Sequence, residues 1–314
     1  MTNIHRIQVA IPYPVKWVNC YYIEDSLPTL IDTGLNLPDS FEVLAKGIGD
    51  AGGDISSVRR IIATHGHMDH SGLAGKIQEI SGADFLVHAS DQAKLSNDPD
   101  DLKTRMEAFH SFLSEAGVPD PSVKEVVSRL LEMFSSLIKP VSGFKPLYGG
   151  EVFGFDDFEL HSIHTPGHSP GSICLHSEEK GILFSGDCIL EEVIVDPMSD
   201  IRSLVEHQAS LDMIAGLPVR KVLPGHGAAF SDHRRRIRRI RDRHKTRSDK
   251  ILSILERSGN GKSRIPFSIA SELFSSMSGM DALYCVSSVV AHLELLEFNG
   301  TIDSPAALSC GGTA

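Results

Sequence analysis

No stretch of this 314-residue chain approaches the roughly 18–20 consecutive apolar residues a membrane helix requires, so a membrane-spanning protein is excluded as an expectation. The first fifteen residues hold neither an apolar core nor a cleavage site of the export type, and a cytoplasmic location is expected. Cysteines are few, five in all, and no two stand as C-x-x-C; an odd count without that spacing rules out a disulfide framework or a zinc knuckle. Positive charge is also short. With 30 basic against 41 acidic residues the chain carries −11, so the body as a whole repels nucleic acid. Apolar content is not lacking: at 41% it supports a large folded domain with a smaller one beside it.

What the chain has in excess is histidine in one place. Thr64-His65-Gly66-His67-Met68-Asp69-His70 sets three imidazoles and a carboxylate directly after the apolar run Arg60-Ile61-Ile62-Ala63. A β-branched run that opens into a polar, glycine-containing segment reads as a strand ending in a loop, and the C-terminal edge of such strands is where ligands collect in α/β folds. Neutral imidazole with a carboxylate is a donor set for zinc, manganese or iron. Three later segments repeat the grammar of apolar run, glycine turn and one donor: they end in His168, Asp187 and His226. Seven donors suffice for two ions sharing a bridge, an arrangement that activates water.

These motifs, in this order, resemble the metallo-β-lactamase superfamily. Its T-H-x-H-x-D-H signature is met in full at Thr64 through His70, its later His, Asp and His by His168, Asp187 and His226, and its first Asp motif by Asp32 in Thr29-Leu30-Ile31-Asp32-Thr33-Gly34. The resemblance implies an α/β fold, an αββα sandwich with the site at one edge. It implies that His65, His67 and His168 hold one metal, that Asp69, His70 and His226 hold a second, and that Asp187 bridges them. Asp69 doubles as the catalytic residue orienting a hydroxide generated between the ions, and Asp32 holds the His loop by hydrogen bonds without touching metal. Two divalent ions are expected as cofactors, zinc first, with iron and manganese as alternatives. His161, His164 and His176 match no family position and read as ordinary strand histidines.

The catalytic domain is expected over 1–232. Within it, residues 91–146 depart from compact family members: Leu102, Met106, Phe109 and Leu113, then Val123, Val126, Val127, Leu130, Leu131, Phe134, Leu137 and Ile138 recur at helical spacing. Because the preceding strand delivers His88 to the same edge as His65, this insertion is expected to cap the site, with Met106, Phe109, Met133 and Phe134 lining a substrate pocket. The competing expectation is that it packs on itself or forms a homodimer surface.

Residues 233–247 carry nine basic side chains against one acid and form an expected basic linker helix. Residues 248–303 read as three helices followed by a short strand at Asn299-Gly300-Thr301-Ile302, a winged-helix-like domain, and 304–314 as a loose tail. This tail resembles the lactamase-B-like protein 2 branch, which joins such a segment to a glyoxalase II-like catalytic domain. The third helix of the tail holds Asp281, Glu294 and Glu297 and no basic residue, which opposes DNA contact.

The function expected is a metal-dependent hydrolase of a small-molecule thioester or acyl conjugate, with acyl-coenzyme A fitting an apolar cap and a basic helix. The alternatives are a metal-dependent endoribonuclease or phosphodiesterase with RNA as partner, a mononuclear iron dioxygenase of the same fold, and a scaffold with a vestigial site. An antibiotic-hydrolysing lactamase is disfavoured, since position 187 is Asp where those enzymes have Cys or His.

Overall fold

Runs such as Leu30-Ile31, Ile61-Ile62, Phe85-Leu86-Val87 and Ile182-Leu183-Phe184 are apolar at every position, which a strand tolerates only when both its faces are covered. The computed structural model, which describes residues 2–12, 15–96, 98–191, 203–257, 265–275, 277 and 279–303, covers both faces. One sheet contains β1 (Asn3–Ala10), β2 (Trp17–Glu24), β3 (Thr29–Ile31), β4 (Arg60–Ile62), β5 (Asp84–His88) and β6 (Lys145–Leu147) in that spatial order. Its first three strands pair antiparallel and its last four parallel. The second runs β11 (Lys221–Pro224), β10 (Ile182–Gly186), β9 (Ile173–Ser177), β8 (Glu159–His164), β7 (Val152–Gly154), antiparallel except for the β10/β11 pair.

Alternation sorts each strand's side chains between layers. Ile31, Ile62 and Leu86 from the first sheet meet Leu160, Leu175 and Phe184 from the second to form the inter-sheet core. On the outer face of the first sheet, Leu30, Ile61, Phe85 and Val87 pack with Leu44 and Ile48 of α1 (Ser40–Asp50) and Ile77 of α3 (Ala74–Ser81). Between them in the chain lies the single-turn α2 (Met68–Ser71). Outside the second sheet, Cys174, Leu183 and Val222 pack with Leu211 and Ile214 of α6 (Ser203–Gly216) and Ile237 and Ile240 of α7 (His233–Arg257). The four layers are the αββα sandwich.

The insertion forms two helices, α4 (Pro99–Glu115) and α5 (Asp120–Leu137), each begun by proline in its first turn. Their apolar faces do not stand open. Met106, Leu113, Val126 and Leu130 share one core with Ile251 and Ile254 of α7, Ile269 of α8 (Pro266–Leu273) and Val286, Val289 and Leu293 of α9 (Met280–Phe298). This corrects the expected pocket wall. Met106 and Phe109 belong to that helical core, Phe134 stacks on Phe109 at 6.4 Å between ring centres, and Met133 packs on the layer outside the first sheet.

Two further expectations change. The basic linker and the helix expected to follow it are one continuous α7, because Ser248-Asp249 supplies no glycine or proline to break it, and a domain boundary at 247/248 would cut through it. Residues 299–302 form turns and bends, with no strand, so the described tail holds three helices without a wing. The tail at 304–314 lies outside the described residues. No described helix is long and apolar enough to cross a membrane.

Where α6, α7 and α9 meet, three imidazoles are buried together: His207 and His244 stand 6.0 Å apart, His244 and His292 5.5 Å. Among the described residues neither ring nitrogen of His244 has a hydrogen-bond partner. Burial, then the neighbouring His207, His292, Arg247 and Arg243, pushes His244 down to about 2. Its folded value lies below its unfolded one, so the unfolded chain takes up the proton first and stability falls as pH drops below about 6.5, by roughly 2 kcal/mol at pH 5. Denaturant melts at pH 7.5 and pH 5 should show that loss, and His244→Leu should flatten it.

Candidate metal centre

The donors come together because the strands that carry them end at one edge. β3 delivers Asp32, β4 the segment from Thr64 to His70, β8 the loop bearing His168, β10 Asp187, and β11 His226. Crossing bonds fasten the loops: Thr64 O accepts from Ile173 N, His70 O from Thr33 N, and Gly186 O from Gly225 N, each at 2.8 Å.

Two clusters result. In the first, His65 Nε2 lies 2.9 Å from His67 Nδ1, and His168 Nε2 lies 2.9 Å from His67 Nδ1 and 3.2 Å from His65 Nε2. In the second, His226 Nε2 is 3.3 Å from both His70 Nε2 and an Asp69 carboxylate oxygen. Asp187 lies between them, one oxygen 3.6 Å from His70 Nε2 and the other 3.6 Å from His168 Nε2 and 3.3 Å from His226 Nε2.

Surrounding bonds choose the tautomers. Asp32 accepts from Thr64 N at 2.7 Å, Thr64 Oγ1 at 2.9 Å and His70 Nδ1 at 2.8 Å, which leaves the His70 Nε2 lone pair aimed inward. Asp32 holds this position with φ at 58°, in the left-handed region costly for a non-glycine residue. His65 Nδ1 donates to Thr64 Oγ1 at 3.1 Å, and His226 Nδ1 donates to the Trp17 carbonyl at 2.7 Å. Gly225 must lack a side chain, since a Cβ there would sit 2.4 Å from Asp187 Oδ1 and 2.7 Å from the His70 ring.

This donor set fits metal. With the N–H of His65 spent on Thr64, three nitrogens about 3 Å apart cannot satisfy one another by hydrogen bonds alone, so lone pairs converge on a common point. Tetrahedral bonds of about 2.0–2.1 Å place ligand atoms about 3.3 Å apart, close to what is seen. Electrostatics agree. Burial pushes His65 and His67 well below the usual imidazole value and His168 to about 4, keeping them neutral as ligation demands. Burial also disfavours charge on His226, but the Asp187 carboxylate overrides it and raises the ring to about 10: this half of the site attracts positive charge. Among the described residues one oxygen of Asp187 is buried without a hydrogen-bond partner, as expected of an atom that serves a cation.

Three further groups were not visible from the sequence. Trp17, exposed at 46%, lends its carbonyl to His226, and Asn19 donates to the carbonyls of Pro224 and Gly227, fixing the last ligand loop to β2. Tyr284 on α9 has its phenol pushed up, by burial first and then by the charges of Asp69 and Asp281. No local signal marks it, because 215 residues separate it from Asp69. His88, at the end of β5, stacks on His164 at 4.0 Å, while His161 and His176 stay in their strands.

Sandwich and donor clusters together define the class: the chain belongs to the metallo-β-lactamase superfamily, whose Lactamase_B family matches residues 15–226. Among relatives, it is 32% identical over 216 residues to human acyl-coenzyme A thioesterase MBLAC2, covering 65% of this chain and 71% of that one. Against the chicken protein of the same name the identity is 33% over 176 residues, 55% of this chain and 58% of the relative, so the chain spans little more than half of that relative's length. The solved structure of the metallo-beta-lactamase family protein TTHA1429 from Thermus thermophilus superposes with a TM-score of 0.80 at 26% identity, covering 95% of this chain and 94% of that one.

Proposed function

We propose that the protein hydrolyses thioesters of small acyl conjugates, acyl-coenzyme A first among them, at a centre of two divalent metal ions. The observation that carries the reading is the pair of donor clusters joined by Asp187. His65, His67 and His168 would hold one ion, Asp69, His70 and His226 the other, and Asp187 would reach both. Nitrogen-rich donors with carboxylates suit zinc, with iron or manganese also accommodated. When bound, such a pair supplies Lewis acidity and lowers the pKa of water toward about 7.

The protein's own contribution is placement. Asp32 and the Trp17 carbonyl hold His70 and His226 in the tautomer that presents Nε2 inward. Asp69, half-buried, is held to about 2 by His70 and His226 against the cost of desolvation, so it stays ionised and can accept a hydrogen bond from water at the centre. No side-chain nucleophile is required.

The substrate class rests on the relatives described as acyl-coenzyme A thioesterases and on the basic helix. Part of that helix is structural: Arg234 donates to the Ala215 and Leu217 carbonyls, Arg236 to the Leu190 carbonyl, Arg241 pairs with Asp212 and Arg247 donates to Ser288. Arg238, Arg239 and Arg243 are exposed on α7, which begins seven residues after His226, and are suited to phosphates.

The test assays short- and long-chain acyl-coenzyme A and single-stranded RNA with zinc, manganese and iron in turn. Chelator-sensitive release of free thiol is expected. Absence of thiol release from every thioester, with RNA cleaved and its binding falling steeply with salt, would replace the proposal by the nuclease reading; oxygen uptake with iron would replace it by the dioxygenase.

A further inference from the structure

Asp91 lies at the root of the insertion, in the 3-10 helix Ala89–Leu95 that follows β5, and it is fully buried. Its two oxygens are surrounded by donors from both halves of one cluster. One accepts from Gly66 N at 2.7 Å, the amide between His65 and His67, and from Ser169 Oγ at 2.6 Å, the residue after His168. The other accepts from Gly171 N at 3.1 Å and pairs with Lys94 Nζ at 3.0 Å. Both loops close tightly on it: a Cβ on Gly171 would come within 2.6 Å of the Asp91 carboxyl carbon. Burial opposes the charge, but Lys94, Ser169 and Gly66 hold the group to about 2, so it stays a carboxylate.

A buried carboxylate with four donors around it links chain segments 103 residues apart in sequence, His65 to His168, without touching either imidazole. We propose that Asp91 is a positioning residue that sets the separation of His65 and His67 from His168, and so tunes the affinity of that cluster for its ion independently of the Asp69, His70 and His226 cluster. The insertion thus scaffolds one half of the centre through its first turn. This inference rests on the two-ion reading above.

Asp91→Asn is the probing change, because an amide nitrogen in place of either oxygen would face a donor. Competition of a chromophoric chelator for zinc, without substrate, reads each ion. In a His226→Ala background, where the remaining ion reports the His65, His67 and His168 cluster, Asp91→Asn is expected to weaken zinc about 10–100-fold. In a His168→Ala background, which reports the other cluster, the change should stay within about threefold. Ser169→Ala, which removes one bond and leaves the charge, should weaken the first cluster by a smaller factor, and it decides the matter if Asp91→Asn does not fold. Unchanged zinc affinity in the first cluster, or equal weakening of both, would overturn the role of Asp91. A parent protein that binds no zinc would instead overturn the metal reading itself.

Discussion

Asp187→Asn is expected to cut turnover by on the order of 10³-fold or more, equivalent to about 4 kcal/mol of lost transition-state stabilisation, and to lower the metal retained per chain. The substitution keeps shape and volume, so its effect isolates charge. Asp187 is buried, which raises its pKa, yet His226 and His70 hold it well below the usual carboxylate range, the mark of an anion facing concentrated positive charge. An amide keeps one acceptor oxygen and must turn its N–H groups to the other side, where they would face a bound cation, and it brings no negative charge to hold one. Only a carboxylate serves both sides at 3.3–3.6 Å. Metal analysis after gel filtration, together with thioester turnover, checks this. A variant with two ions per chain and the parent rate would remove Asp187 from the bridge and leave two independent clusters.

The centre was legible in the sequence to the extent that its donors are tied to short-range grammar. His65, His67, Asp69 and His70 fall within six residues after a buried strand, and His168, Asp187 and His226 each follow an apolar run and a glycine turn. The sandwich was legible for the same reason, since strands covered on both faces read as unbroken apolar runs. What sequence could not show are partners chosen by tertiary packing. The apolar stripes of α4 and α5 announced something to cover, but a stripe does not say whether substrate, a second copy or the chain's own C-terminal helices will cover it; here α7, α8 and α9 do. β6 escaped because Lys145-Pro146-Leu147 is three residues long with a proline at its centre, and only pairing with β5 makes it a strand. The expected wing failed because Asn299-Gly300-Thr301-Ile302 has turn chemistry at its start and no facing strand among the described residues to pair with.

The shared helical core makes a second strong expectation. Leu113 of α4 is fully buried in it, so Leu113→Ala should cost about 2–5 kcal/mol, against a total of only about 5–15 kcal/mol for a folded domain. Because Val286, Val289 and Leu293 of α9 sit in the same cluster, the loss should not stay within the insertion. Hydrogen exchange on Leu113→Ala should show α4, α5, α8 and α9 losing protection together, while β4 and β10 keep theirs. Removing residues 102–138 altogether is then a far harsher change than trimming a lid. It strips the cover from α9 and should yield aggregated protein, since a contiguous apolar face of that kind is seldom left in water. Turnover should fall with the loss of folded protein, even though none of the seven candidate ligands lies in the deleted segment. A soluble deletion variant whose C-terminal helices keep native protection would show instead that the two helical segments fold independently, and that the apolar stripes of α4 and α5 are available to something other than this chain.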